Sequence, residues 1–161
     1  LLVLKKSITW ISLSVTTFIG AGLFSAYAYI AQYLQEISLI NEDSLSLILF
    51  LFGISSILGN YIAGKLLVKN SLGLVILYPV VFSIVYLLIF NTGSVLFLVI
   101  PLVLIWGILN GIGNNIQQYW IVSAIPQAPD FANGLFISFG NLGTTIGTFI
   151  GGMILTQLGI I

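Results

Sequence analysis

The sequence predicts an all-α, polytopic membrane helix bundle, and three observations carry that reading. Hydrophobic residues make up 59% of the 161 and charged residues 5%, against roughly 25% charged in an average soluble domain. The uncharged runs are long: the first, from Ser7 to Gln35, exceeds the roughly 20 residues a helix needs to cross a ~30 Å hydrocarbon core. The few charges fall at the ends of these runs and sort by sign, with Lys5, Lys6, Lys65 and Lys69 meeting one face and Glu36, Glu42 and Asp43 the other. A charge at mid-bilayer is costly and loops rich in Lys and Arg stay in the cytoplasm, so the amino terminus is expected to be cytoplasmic.

Five spans follow in order, at about 8–35, 44–67, 72–90, 95–122 and 131–157. The first is too long for the apolar region of a signal peptide, and four more membrane-grade runs follow it. Asn41, Asp43 or Ser44 can cap the second span by accepting a bond from a free amide of its first turn. The third ends at Asn91-Thr92-Gly93-Ser94, a turn sequence, and Pro129-Asp130 opens the fifth. Pro79 and Pro101 fall inside apolar runs, where a membrane helix kinks rather than ends because its neighbours re-satisfy the freed carbonyls. The loop from Ser123 to Asp130 is cytoplasmic by parity alone, since it carries no lysine.

Composition also excludes function classes. Net charge is zero, so no basic face exists for nucleic acid. Cysteine and histidine are absent, which removes thiol chemistry, disulfides and imidazole catalysis and leaves no metal site or cofactor to expect. An intramembrane enzyme needs a nucleophile with a base, or paired buried carboxylates. Glu36, Glu42, Asp43 and Asp130 all map to span ends or loops, so no enzyme is predicted.

The polar groups within the spans are unevenly shared. The third span has no glycine between Leu74 and Phe90 and reads as a peripheral, lipid-facing helix. In the fourth, a wheel at 100° per residue puts Trp106, Asn110, Gly113, Asn114 and Gln117 on one face. Gly107, Gly111, Asn115 and Gln118 lie beside them, and Leu109, Ile112, Ile116 and Trp120 lie opposite. Carboxamides both donate and accept, which is what a neutral, hydroxyl-rich ligand such as a sugar requires of a cavity wall. The competing reading is that these amides bond across helices and hold the bundle together. Tyr27 and Gln32 of the first span are further cavity candidates, whereas Tyr29 and Tyr33 are expected in an aromatic belt.

Small residues recur at four-residue spacing in two spans. Gly143, Gly147 and Gly151 line the fifth, and Gly59 and Gly64 fall in the second within Ser55-Gly59-Ala63 and Ser56-Asn60-Gly64. Stripes of this kind let helix backbones approach closely and are read as packing surfaces.

Longer stretches carry a resemblance. Phe24-Ser25-Ala26-Tyr27-Ala28-Tyr29-Ile30-Ala31, then Leu49-Phe50-Leu51-Phe52-Gly53 running to Gly59-Asn60 and Gly64-Lys65, resembles helices seven and eight of drug:proton antiporters of the major facilitator superfamily. The run Pro126-Gln127-Ala128-Pro129-Asp130-Phe131-Ala132-Asn133-Gly134, with Ser138, Asn141-Leu142-Gly143, Gly147 and Gly151-Gly152, resembles the loop into helix eleven and that helix. The bacterial arabinose and sugar efflux branch is the nearest in kind. Two positions depart from the pattern: Gln32 stands where many relatives have proline, and Val68 where an aspartate is common.

The resemblance implies a partial major facilitator fold, helices seven to eleven of the C-terminal half, lacking the six-helix N-terminal half and a twelfth helix. A first residue other than methionine and an odd number of spans fit such a piece. It further implies a bacterial cytoplasmic-membrane transporter that exports a small molecule, sugar or drug-like, by alternating access, with a coupling proton carried by a carboxylate in the absent half. The alternative, from another class, is a small membrane scaffold that docks a partner through its glycine faces.

Overall fold

The computed structural model describes residues 2–158. A short 3-10 turn (Leu2–Lys5) leads into α1 (Ser7–Tyr27), α2 (Ile30–Glu36), α3 (Glu42–Thr92), α4 (Leu96–Ala124) and α5 (Pro129–Leu158), and no strand occurs among the described residues. Chain punctuation explains most of the boundaries. Asn41 caps α3, its Oδ1 accepting from the Ser44 amide at 2.9 Å. Gly93 follows the last residue of α3, and Pro129 begins α5, where a missing amide proton costs nothing. Pro79 and Pro101 lie inside α3 and α4 without ending them.

Two boundaries differ from expectation. The first apolar run is interrupted at Ala28 and Tyr29, where the Tyr29 amide bonds back three residues to the Ala26 carbonyl and α1 gives way to the seven-residue α2. Within α3, the only non-helical residue is Asn70 (φ −159°, ψ 81°), whose Oδ1 accepts from the Gly73 amide at 2.8 Å and so caps a new helix. A multi-residue loop between the second and third apolar runs is thus replaced by one capping asparagine.

Helix directions follow from which residues meet. A Cβ at Gly143, Gly147 or Gly151 of α5 would collide with the carbonyl oxygens of Thr17, Ala21 and Ser25 respectively, so the two numberings rise together and α1 and α5 are parallel. A Cβ at Gly107 would lie 2.7 Å from the Phe52 carbonyl oxygen, and one at Gly111 would strike that of Ser56, so the first arm of α3 runs parallel to α4. Against this, Tyr86 packs edge-on to Trp106 at 5.1 Å while Gly113 faces Tyr78, so the second arm is antiparallel to α4. Asn70 is therefore a reversal, and α3 is two rods of roughly 42 and 33 Å at about 1.5 Å per residue. The rods alternate in direction along the chain, with α1 and α2 together making the first.

That order gathers the Lys6, Asn70 and 125–128 ends at one end of the bundle, and the 37–41 and 93–95 loops at the other, where Ser38 Oγ donates to the Gly93 carbonyl at 2.6 Å. Lysines and the acids of the 36–43 stretch are accordingly held at opposite ends. Among the described residues, three helical stretches are long and apolar enough to cross a membrane: Ser7–Glu36, α3 and α4. The fifth helix is as long as α4 but carries six glycines, which lower its hydropathy.

The main core centres on Trp106, 3% exposed, around which Tyr27, Phe52 and Tyr86 converge from three different rods at 5.1–6.4 Å between ring centres. The second arm of α3 buries Tyr78, Phe82, Val85 and Ile89 and turns Ile76, Val80, Ile84 and Leu87 outward, a one-sided apolar rod at the periphery.

One of the sequence expectations is corrected by this packing. Gly64 is exposed and nothing lies within 4 Å of a Cβ placed there, so it is no contact glycine, unlike Gly59, whose Cβ would strike the Ile108 carbonyl. Gly64 lies on the outer face of the rod, whereas its neighbour Ala63 is fully buried in the core. The hydroxyls of Tyr29 and Tyr33 donate to the backbone carbonyls of Thr148 and Ile89, each at 2.8 Å, tying the first rod to its neighbours.

Candidate functional site

The carboxamides of α4 divide by what they bond to. Asn110 Nδ2 donates to Ser56 Oγ at 3.3 Å, Asn115 Nδ2 to Asn60 Oδ1 at 2.8 Å, and Gln118 Nε2 to Asn133 Oδ1 at 3.2 Å. These three join α4 to its neighbours, the first two across the close crossing with α3. Asn114 is exposed and has no side-chain hydrogen bond among the described residues. Gln117, 2% exposed, donates one amide proton to the Gly113 carbonyl of its own helix at 3.2 Å, which leaves its second N–H and its Oε1 for something else.

Asn114 and Gln117 share the wall of a cavity of about 210 Å³ between α1, α4 and α5. From α5 come Asn141 and Thr144, one helical turn apart, whose side chains also make no hydrogen bond among the described residues. Phe24, Phe136 and Ile137 supply the apolar surface, and Gly20 and Gly140 the gaps. No charged side chain lines it. The cavity therefore offers two or more free donors, several acceptors and two aromatic rings to a neutral occupant, the combination a polyhydroxylated ring would engage.

Of the six residues singled out from sequence, the structure brings only Asn114 and Gln117 to this cavity. Asn110 is turned toward Ser56. Tyr27 is partly exposed, stacked on Phe52 at 5.2 Å and edge-on to Phe24 at 5.6 Å. Gln32 is at the far end of the first rod, where its Nε2 donates to Glu36 Oε1 at 2.8 Å. Trp106 lines a different, larger cavity of about 580 Å³, bounded mainly by Tyr29, Tyr33, Phe90, Ile154 and Leu155. The hydroxyls there are committed to backbone carbonyls, so that space is almost wholly apolar.

Sequence reasoning passed over Asn141 and Thr144 as site residues because they sit within a glycine-rich run that reads as packing. The available signal was their spacing: 141 and 144 fall one turn apart, on the flank of the Gly143, Gly147 and Gly151 contact stripe.

Comparison with known proteins bears on this arrangement. Over 141 residues, 87% of the chain, it is 28% identical to a protein of Helicobacter pylori named "Probable sugar efflux transporter". Over 154 residues, 92% of the chain, it is 29% identical to an "Uncharacterized MFS-type transporter YtbD" of Bacillus subtilis. These likenesses support a transporter of the major facilitator superfamily. The chain is also 21% identical over 157 residues to a Pseudomonas aeruginosa protein named "Transcription regulatory protein OpdE". No family model and no solved structure matches the chain. The three long apolar helical stretches agree with a multi-pass membrane protein, as these relatives' names suggest. The chain spans a little over a third of the length of these relatives, 36% of the Helicobacter protein and 39% of the Bacillus one.

Proposed function

We propose that this chain supplies one wall of the substrate path of a secondary transporter that exports a small, neutral, hydrogen-bonding molecule of the sugar class. The observation that carries the reading is the cavity of about 210 Å³ whose Asn114, Asn141 and Thr144 side chains are unbonded among the described residues. Unspent polar groups within a membrane bundle are costly unless water or a ligand engages them. The name of the Helicobacter relative supports the same class.

In this reading the five rods are five membrane crossings, at about 8–35, 44–67, 72–90, 95–122 and 131–157, with the lysine end of the bundle in the bacterial cytoplasm. The remaining helices, a six-helix half and a twelfth, complete the path, and rocking of the two halves exposes the site to each side in turn. None of the acids of the described rods faces the polar cavity. A proton-coupling carboxylate is accordingly assigned to the other half.

The test is ligand binding to the purified, reconstituted whole protein carrying Asn114→Leu or Gln117→Leu, with glucose and with an apolar dye as probes. Loss of one hydrogen bond at the cavity wall costs about 1 kcal/mol or more, so glucose affinity is expected to fall about fivefold or more in each while the protein still inserts. Wild-type glucose affinity in both variants, or binding of the dye alone, would overturn the reading.

A further inference from the structure

Two glycines of α5, Gly134 and Gly140, have nothing within 4 Å of a Cβ built on them, and of these only Gly140 lines the polar cavity. Gly143, Gly147 and Gly151 each sit where a Cβ would meet the backbone of α1, so their identity is dictated by packing. Gly140, one turn earlier, lines the polar cavity, and nothing lies within 4 Å of a Cβ built on it. A glycine in a helix interior weakens the helix relative to alanine, so a position with room for a side chain gains nothing structurally from lacking one. What the missing side chain leaves is space at the wall of the cavity that Asn114 and Gln117 also line. Gly20 on α1 is a different case, because its Cβ would lie 3.2 Å from the Gly140 carbonyl oxygen and 3.5 Å from Gln117 Oε1, tight but not blocked.

We propose that Gly140 is the size-determining residue of the site, setting the largest ring that Asn114, Gln117, Asn141 and Thr144 can engage. The inference rests on the reading of that cavity as a sugar site and adds to it a ceiling on ligand size. A side chain at 140 would enter the cavity without touching the α1 contact, so ligand size and bundle packing are separable on α5. Position 140 governs the first and positions 143, 147 and 151 the second.

The experiment measures binding of erythritol, xylose, glucose and maltose to the reconstituted whole protein, as wild type and as Gly140→Ala and Gly140→Val, alongside thermal unfolding of each. A methyl or isopropyl group in a closely fitted pocket discriminates by about tenfold or more, so glucose binding should drop by that factor while erythritol changes by less than about twofold and the unfolding midpoint holds. As a second arm, Gly140→Cys should react with a small thiol reagent and be protected by glucose. An unchanged ladder in both variants, or an equal loss across all four ligands with lowered stability, overturns the size-limit assignment alone. If the wild type binds none of the four, the sugar-site reading itself fails and the inference falls with it.

Discussion

At the scale of single residues, the information is in which amides are already bonded. Sequence placed Asn110, Asn114, Asn115, Gln117 and Gln118 on adjoining faces of one helix, and that much was legible from periodicity. Sorting them was not, because the partners Ser56, Asn60 and Asn133 come from elsewhere in the chain, and a wheel shows only one helix at a time. The sorting predicts opposite phenotypes. Asn115→Leu loses its bond to Asn60 and leaves an acceptor unpaired, so stability should fall by about 1 kcal/mol with glucose affinity unchanged. Asn141→Leu has no internal bond to lose, so affinity should fall about fivefold or more with the unfolding midpoint held. Thermal unfolding and isothermal titration on the same two preparations check both. Identical behaviour of the two variants would refute the division.

Among elements, the boundaries written in side-chain chemistry were legible and the others were not. Asn41, Gly93 and Pro129 mark ends that the structure keeps. The interruption at Ala28 and Tyr29 has neither proline nor glycine to announce it, and Asn70 stood in a run read as a longer loop. Because Asn70 alone both breaks and caps, Asn70→Leu should destabilise by about 0.5–2 kcal/mol, the usual value of a lost N-cap, seen as a lower unfolding midpoint. The glycine stripes were likewise legible as contacts, yet only neighbouring backbone separates Gly147, which meets the Ala21 carbonyl, from Gly64, which meets nothing. Gly147→Leu should force α1 and α5 apart at a cost of about 1–3 kcal/mol or more and broaden the size-exclusion profile in detergent. Gly64→Leu should leave that profile as it is, and equal damage from both would show that the contact map of α5 is wrong.

For the whole molecule, sidedness and transport are the open properties. The lysine end of the bundle and the acid end are held apart by the alternating rods, and the positive-inside tendency assigns the lysine end to the cytoplasm. The chain has no cysteine of its own, so single cysteines in this region report cleanly once any elsewhere in the whole protein are removed. Cysteines at Ser7, Ser71 and Gln127 should be shielded from an impermeant external reagent in intact cells, and one at Asn41 should react. Reaction at Ser71 from outside would invert the assignment. The central claim, that the unbonded amides and hydroxyl of α4 and α5 hold a sugar in transit, is tested most directly by counterflow. Proteoliposomes of the whole protein are loaded with unlabelled glucose and diluted into labelled glucose, for the wild type and for an Asn114→Leu, Asn141→Leu double variant. The account predicts transient accumulation of label by the wild type and about tenfold less by the double variant at equal protein density. Equal accumulation by both, or none by a wild type that accumulates an apolar drug instead, would contradict it.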